Sequence, residues 1–300
     1  MIRKVAILAN GGDVSGFNAV IRAIVKTAEN NGIDCYGFID GYNGLLKNNY
    51  EKLSTANDEH ASGILQKGGS IIGSSTNANV FHYKVEENGE TVYKDLSDVC
   101  VENIKKDGFD CLFTLGGDGT QKSARDFSTK GINVIGVPKT IDNDLAITDH
   151  SPGFGSAARY IAGTVNEICQ DIRALPIHVC VIEAMGRNAG WIAAASALAA
   201  GKDENGPDLI YVPERAFDED AFLEDVQRIH EKKGGVVVVA SEGLKTKDGT
   251  PIVEPIFTMG RATYYGDVSA HLANVVIQKL GIKSRSEKPG ICGRASAMFQ

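Results

Sequence analysis

Short apolar segments recur along this chain, and five of them end in a turn that carries glycine or charged residues. The five endings read ANGGD, TLGGDGT, VPKTIDND, EAMGRNAG and ASEG. Strands that are apolar throughout and are joined by helices predict parallel sheets covered on both faces. Ligands of such sheets bind beyond the carboxyl ends of the strands, where glycine lets backbone amides approach phosphate oxygens. The pattern therefore predicts an α/β fold whose functional residues collect at one edge of each sheet.

The same patterns predict the individual elements. Strands are expected at residues 5–9, 35–40, 111–115, 134–138, 179–185, 209–213 and 236–241. Helices are expected at residues 19–32, 122–131, 189–200 and 217–233. The polar, alternating residues 78–95 predict an exposed hairpin or insertion.

Length and composition limit the classes of protein that the chain can belong to. Its 300 residues suggest about two domains of roughly 150 residues each. A net charge of −7 argues against nucleic acid or an anionic membrane as partner, but not against small anionic substrates. No apolar run approaches the roughly 20 residues of a membrane span, and the N-terminal run is typical of a strand rather than a signal peptide. Six cysteines without a CxxC pair favour a reducing compartment, so we expect a cytoplasmic protein.

Two glycine-rich loops in the first half suit phosphate and metal binding. GGDVSGFN joins a strand to a helix, and Gly11, Gly12 and the helix N-terminus would form an amide-lined anion site. A plain strand–helix turn is the alternative. GGDGT places Asp118 at a strand end, where a carboxylate suits Mg²⁺ because this cation prefers oxygen ligands. The alternative for Asp118 is a cap of the following helix.

The segment PKTIDND is the sharpest chemical feature of the chain. Asp142 and Asp144 lie two residues apart, and such a pair of carboxylates needs a cation or hydrogen-bond donors nearby. Phosphoryl transfer needs a carboxylate that accepts a hydroxyl proton and a cation that gathers the donor phosphates. A solvated acidic turn is the alternative.

Two loops in the second half supply complementary groups. EAMGRNAG places Arg187 at a strand end, where it would stabilise charge on a transferring phosphoryl group. SEG places Glu242 where it would accept hydrogen bonds from sugar hydroxyls. A structural ion pair is the alternative for each residue.

In chain order these motifs read GGDVSGFNAVIR, GGDGT, PKTIDND, GFGSA, MGRNAGW and SEG. The ordered set resembles that of the phosphofructokinases, and the resemblance extends from Val5 to Arg294. It implies two Rossmann-like domains with mainly parallel sheets covered by helices. These would be a donor- and magnesium-binding domain at 1–153 and a sugar-phosphate domain at 154–300, whose last residues begin the return to the first. Family members continue beyond this point, so we expect a shortened chain or an unusual C-terminal closure.

The resemblance also implies the function of individual residues. Asp142 would be the catalytic base, with Lys139, Thr140 and Arg187 as further catalytic residues, and Asp118 would bind Mg²⁺. The donor would be held by Gly11, Gly12, Gly117, Gly119 and Thr120. The sugar phosphate would be held by Thr140, Asp142, Asp144, Met185, Gly186, Arg187, Glu242, Arg285 and Arg294. One of the last two arginines is usually lent by a neighbouring subunit, which implies a homodimer or homotetramer with shared active sites.

Two residues, Gly119 and Lys139, resemble different branches of the family that use different phosphoryl donors. Gly119 is the residue of ATP-dependent members, whereas pyrophosphate-dependent members have an aspartate there that crowds the nucleotide. Lys139 is instead the residue of the pyrophosphate type. The combination resembles an ATP-dependent branch, so ATP is the expected donor and pyrophosphate the alternative.

Three residues depart from the family pattern at positions that usually bind the sugar phosphate. Thr76 and His178 replace arginines, and Ile291 replaces a histidine or tyrosine. The family resemblance makes fructose 6-phosphate the expected acceptor, and these three departures leave another sugar or polyol as an alternative. A catalytically weak homologue that senses sugar phosphate or nucleotide is a further alternative. A dinucleotide-dependent dehydrogenase is disfavoured because GxGxxG is absent.

Overall fold

The structure is a computed structural model that describes residues 2–12, 14–56, 61–76, 79–201, 206–259, 262–264 and 266–297. The chain divides into two compact units. The first contains the described residues up to Thr140, Leu145–Gly153 and the described residues after Arg294. The second contains Ile141–Asp144 and Phe154–Arg294. Ile141–Asp144, which the expected boundary at 153 assigns to the first domain, thus belongs to the second unit, and Ile141 is only 1% exposed within that unit's core.

The first unit is built on a five-stranded sheet. In spatial order its strands are β3 (Tyr50–Leu53), β2 (Asp34–Phe38), β1 (Lys4–Asn10), β6 (Cys111–Gly116) and β7 (Val134–Pro138). All neighbouring pairs are parallel except β2 and β3. The helices are α1 (Phe17–Asn30), α2 (Tyr42–Lys47), α3 (Ser97–Lys106) and α4 (Asp118–Thr129). β4 (Tyr83–Glu87) and β5 (Glu90–Lys94) form the expected hairpin, apart from residue 78, which lies outside the described residues.

The side chains of β1 explain why an entirely apolar strand forms here. Val5 and Ile7 pack with Phe17 of α1 on one face of the sheet. Ala6 and Leu8 pack on the other face, in a cluster that contains residues of α2, α3 and α4. Because both faces are covered, no position along the strand favours a polar side chain.

The second unit is built on a four-stranded parallel sheet. In spatial order its strands are β13 (Ser284–Glu287), β8 (Val179–Ala184), β10 (Val236–Ser241) and β9 (Leu209–Tyr211). A short antiparallel ribbon joins β11 (Phe257–Met259) to β12 (Ala262–Tyr264). The helices are α5 (Phe154–Ala174), α6 (Trp191–Ala195), α7 (Glu219–Lys233), α8 (Val268–Leu280) and α9 (Gly290–Arg294). Among the described residues, no helix is both long and apolar enough to cross a membrane.

The prediction of an α/β fold with mainly parallel sheets is confirmed, and several element bounds are corrected. The helix expected at 189–200 is α6 followed by a 3₁₀ segment, Ser196–Ala200. The helix expected from residue 217 begins at Glu219, because the Asp218 carboxylate caps it by accepting from the Ala221 amide at 3.1 Å. β13 was not predicted, since its sequence SRSE carries no apolar residue.

Candidate active site

The loop after β1 is held by the segment around Ser75. The amide of Gly11 donates to the carbonyl of Ser75 at 2.9 Å, and the Ser74 hydroxyl donates to the carbonyl of Gly11 at 2.7 Å. The Gly11 amide is thus engaged within the fold, and the expected place of Gly11 at the donor phosphates stays a prediction. The expected contact of Gly12 with the donor phosphates also stays a prediction.

The N-terminus of α1 packs closely against the backbone that precedes α5. Gly16 has φ 87, and a Cβ at this position would lie 2.5 Å from the nitrogen of Gly153. Only glycine satisfies both the left-handed backbone and the close approach. The Ser15 hydroxyl adds a hydrogen bond to the carbonyl of Ser296 at 2.6 Å. These contacts fix the loop between β1 and α1.

The GGDGT loop turns directly from β6 into α4, which begins at Asp118. The Asp118 carboxylate is 71% exposed and lies 3.0 Å from the ammonium of Lys122. The hydroxyl of Thr120 donates to the carbonyl of Asn10 at 3.2 Å, and Thr120 is only 3% exposed. Thr120 therefore ties the first turn of α4 to the end of β1, and its expected role in donor binding stays a prediction. Gly119 is exposed, with no heavy atom within 4 Å of where a Cβ would stand.

The PKTIDND segment continues from β7 along the end of β6. The Lys139 amide donates to the carbonyl of Gly116 at 3.0 Å, and the Thr140 amide donates to the Ser151 hydroxyl at 3.1 Å. The Lys139 side chain is buried, with its ammonium 4.6 Å from the ring centroid of Phe17. Asp142 is 6% exposed, whereas Asp144 is exposed. The two carboxylates of this loop thus have different environments.

In the second unit, the loops after β8 and β10 hold each other. Glu242 accepts hydrogen bonds at one carboxylate oxygen, Oε1, from the amides of Gly186 and Arg187, each at 3.1 Å. Arg187 has φ 51, a left-handed conformation that is uncommon for residues with a side chain. A Cβ on Gly243 would lie 1.5 Å from the carbonyl oxygen of Arg187. The MGR and SEG motifs are therefore one packed structure.

An ion pair between a buried carboxylate and a half-exposed lysine lies beside these loops and was missed by sequence reasoning. Glu183, which is 2% exposed, lies 2.7 Å from the ammonium of Lys288 and accepts from the Val268 amide at 2.8 Å. Burial raises the pKa of the Glu183 carboxyl, and Lys288 opposes this increase. Burial lowers the pKa of the Lys288 ammonium, but Glu183, Asp267 and Glu242 outweigh burial and raise it. The signal in the sequence was a lysine following a short strand, but that strand was not predicted.

Comparison with known proteins gives the family. A family model described as Phosphofructokinase matches residues 4–298. The chain belongs to the phosphofructokinase family. The resemblance inferred from the ordered motifs is therefore confirmed.

Individual relatives divide between two donors. The ATP-dependent 6-phosphofructokinase 2 of Clostridium perfringens is 46% identical over 258 residues, which cover 85% of this chain and 68% of that protein. The pyrophosphate–fructose 6-phosphate 1-phosphotransferase of Amycolatopsis mediterranei is 35% identical over 289 residues, covering 94% of this chain and 78% of that protein. A pyrophosphate-dependent phosphofructokinase structure from Marinobacter aquaeolei has a TM-score of 0.78 at 30% identity, covering 99% of this chain and 70% of that one.

Most phosphofructokinase motif residues lie at the carboxyl edge of their own sheet. In the first unit these are Gly12, Gly117, Asp118, Gly119, Lys139 and Thr140, and in the second Met185, Gly186, Arg187 and Glu242. Arg294 ends α9, whose Gly290 and Gly293 line a small open cavity together with Met185 and Glu183. Arg285 is not at this edge, because it pairs with Cys180, three residues (about 10 Å) before Glu183 on β8.

The magnesium ion that the phosphofructokinase family implies fits a single protein ligand. Among the residues that the structure describes, no group of three or more His, Cys, Asp or Glu side chains could hold a metal ion. Mg²⁺ usually binds one or two carboxylates, several waters and substrate phosphates rather than a cage of protein ligands. The exposed Asp118, flanked by Gly117 and Gly119, fits that kind of site.

The three residues that depart from the family pattern differ in their surroundings. Thr76 and Ile291 are exposed. His178 is 1% exposed, and neither of its ring nitrogens has a hydrogen-bond partner. Burial lowers the pKa of its imidazole, and the charges of Arg285 and Lys283 add to the decrease. A buried neutral histidine cannot supply the charge of the arginine that it replaces.

Proposed function

We propose that this chain transfers the γ-phosphate of ATP to the 1-hydroxyl of fructose 6-phosphate, a phosphoryl transfer of glycolysis. The observation that carries the proposal is the intact TIDND loop, with Asp142 buried four residues after β7, in a chain 46% identical to an enzyme named ATP-dependent 6-phosphofructokinase 2. A binding protein would not need a carboxylate base in this loop.

In the proposed mechanism, Asp142 accepts the proton of the sugar hydroxyl as the hydroxyl oxygen attacks the γ-phosphorus in line; the bond from that phosphorus to the β–γ bridging oxygen breaks, and ADP leaves. Arg187 stabilises negative charge on the transferring group. Glu242 fixes the backbone of Arg187 and accepts hydrogen bonds from sugar hydroxyls. Asp118 would hold Mg²⁺, which supplies positive charge to the donor phosphates when bound.

The space at Gly119 supports ATP as the donor. No heavy atom lies within 4 Å of a Cβ built there, and glycine adds no side chain that would crowd or repel a nucleotide. Pyrophosphate is the second candidate, because Lys139 is the residue of the pyrophosphate type and relatives with that donor are 35% identical. Lys139 itself is buried, with its ammonium over the ring of Phe17.

The departures at Thr76, His178 and Ile291 favour a second class of acceptor, which binds without the cations that the family usually has there. Another sugar or polyol would need fewer cations than fructose 6-phosphate. A weak homologue that senses sugar phosphate is the remaining alternative. We also propose a cytoplasmic location and a homodimer or homotetramer with shared active sites, as the family resemblance implies.

Parallel assays with two donors test the proposal. Purified protein is incubated with Mg²⁺ and fructose 6-phosphate, with ATP in one series and pyrophosphate in the other, and fructose 1,6-bisphosphate is measured. We expect a larger kcat/KM with ATP. A larger value with pyrophosphate would replace the donor, and no turnover of any sugar or sugar phosphate with either donor would refute the function.

A further inference from the structure

The register of β13 against β8 places Lys288 at the edge of the sheet that carries the MGR loop. Glu287 pairs with Ile182 in parallel register, so the next residue, Lys288, reaches Glu183. Arg285 pairs with Cys180 and lies well before this edge. The cation that β13 brings to the second unit's loops is therefore Lys288, which no motif assigns.

The Lys288 side chain forms an ion pair with Glu183 and is about half exposed to solvent. Its ammonium lies 2.7 Å from Oε1 of Glu183, whose carboxylate is buried, while the Lys288 side chain is 48% exposed. The other oxygen, Oε2, of Glu183 accepts from the amides of Val268 and Ser269 at 2.8 and 3.4 Å. Glu183 is thus fixed from both sides, and it lines the open cavity beside Met185.

Three carboxylates, rather than Glu183 alone, raise the pKa of the Lys288 ammonium. Glu242 and Asp267 act on it electrostatically in addition to Glu183, and they come from the loop after β10 and from the N-cap of α8. Glu242 in turn holds the amides of Gly186 and Arg187. With Lys288 present, the four groups sum to two negative charges, and without it they sum to three.

We propose that Lys288 is a positioning residue of the acceptor site, which neutralises Glu183 and thereby limits the repulsion of a phosphorylated acceptor. This inference rests on the proposed function, since it assumes that the acceptor carries a phosphate. Lys288 acts through Glu183 and need not touch the acceptor. Like charges in a partly buried site interact strongly enough to change affinity by about tenfold.

Lys288→Met tests the proposal, with Lys279→Met as the control. Lys279 also forms a lysine–glutamate pair in the second unit, 2.5 Å from Glu219 on the exposed surface. The Kd of fructose 6-phosphate is measured by calorimetry without donor, and KM and kcat are measured with ATP. For Lys288→Met we expect Kd and KM to rise about tenfold while kcat changes by less than about threefold. The control should match the wild type.

The pH dependence separates this role from a merely structural one. In Lys288→Met, Glu183 keeps the amides of Val268 and Ser269 but loses its cation, so burial and Asp267 favour its protonated form at low pH, and it adds a negative charge to the site as it ionises with rising pH. The ratio of the Kd of Lys288→Met for fructose 6-phosphate to the wild-type Kd should therefore grow with pH. The phosphate of the acceptor titrates equally in all variants, so the ratio removes its effect.

The double variant Glu183→Gln/Lys288→Met gives the decisive result. It restores two negative charges, so we expect its Kd to return to within about threefold of the wild type and the pH dependence of the ratio to vanish. Lys288→Arg should also keep the wild-type Kd. The double variant and Lys288→Arg carry the test if Lys288→Met does not fold.

Two results would overturn the inference. One is a wild-type Kd for Lys288→Met at every pH. The other is a double variant whose Kd is as high as that of a folded Lys288→Met or, where that variant does not fold, about tenfold higher than the Kd of Lys288→Arg, since Lys288 would then contact the acceptor directly. If the wild type and Lys279→Met bind no fructose 6-phosphate, the proposed acceptor itself is wrong and the inference falls with it.

Discussion

The carboxylate of Glu242 accepts a hydrogen bond from the backbone amide of Arg187 at 3.1 Å, and it holds Arg187 in a left-handed conformation with φ 51. A left-handed conformation costs a residue other than glycine about 1–2 kcal/mol. A hydrogen bond to an ionised acceptor contributes about 1.5–3 kcal/mol and offsets that cost. The position of the Arg187 side chain therefore depends on a residue 55 positions away in the chain.

Glu242→Gln should uncouple the two loops. The neutral amide is a weaker acceptor, so we expect kcat/KM for fructose 6-phosphate to fall by roughly 10–100-fold, or about 1.4–2.8 kcal/mol. Steady-state kinetics give the value. Glu231→Gln, on an exposed position of α7, is the control and should behave as the wild type. An unchanged kcat/KM for Glu242→Gln would show that its charge does not support Arg187.

Gly243→Ala should disrupt the same contact by overcrowding. Its Cβ would lie 1.5 Å from the carbonyl oxygen of Arg187, so backbone must move, and we expect a loss of about 2–3 kcal/mol in the free energy of unfolding. Gly163→Ala in α5 is the matched control, because a Cβ there meets no atom within 4 Å. The free energy of unfolding of that control should rise by about 0.5–1 kcal/mol. Urea unfolding measures both, and equal stabilities would contradict the tight packing of the two loops.

Gly119→Asp should change the choice of donor without unfolding the protein. A Cβ at Gly119 meets no atom within 4 Å, so the fold tolerates the side chain, while its carboxylate repels the donor phosphates and crowds a nucleotide. We expect kcat/KM with ATP to fall at least tenfold more than kcat/KM with pyrophosphate. Gly119→Ala adds bulk without charge and should affect ATP less. A parallel loss with both donors would place the determinant elsewhere.

The buried His178 should make the protein sensitive to acid. Its folded pKa lies below the ordinary value of 6.5, so the unfolded chain binds the proton first. Stability from this group is present above pH 6.5 and is lost as the pH falls through the lowered folded pKa, by at most about 2 kcal/mol at pH 5. His178→Leu should reduce the decline in unfolding free energy between pH 7 and 5. His271→Gln serves as the control for removing one histidine, and equal declines in both variants would exclude His178 as the cause.

The parts of the site that lie within one continuous motif could be predicted from the sequence. Asp118 and Asp142 follow the apolar strands β6 and β7, which are parallel neighbours and end at the same edge of the first unit's sheet. The fold class followed from the same pattern, because strands such as β1 are apolar on both faces.

Contacts between distant segments could not be predicted. The engagement of the Gly11 amide depends on the approach of Ser75, and nothing in GGDVSGFN indicates that approach. β13 was missed because it is an edge strand whose exposed side chains leave no apolar pattern. Without β13, the register that pairs Lys288 with Glu183 could not be inferred.

The kcat of Asp142→Asn tests the central claim most directly. Asparagine keeps the shape of the buried side chain but cannot accept the proton, so we expect kcat with ATP and fructose 6-phosphate to fall by about 10²–10⁴-fold. The kcat of Asp144→Asn, at the exposed carboxylate two residues further along the chain, should fall by less than that of Asp142→Asn. Calorimetry should show that Asp142→Asn binds fructose 6-phosphate within about threefold of the wild type. A folded Asp142→Asn that retains the wild-type kcat would contradict the account, because the base would then be another group.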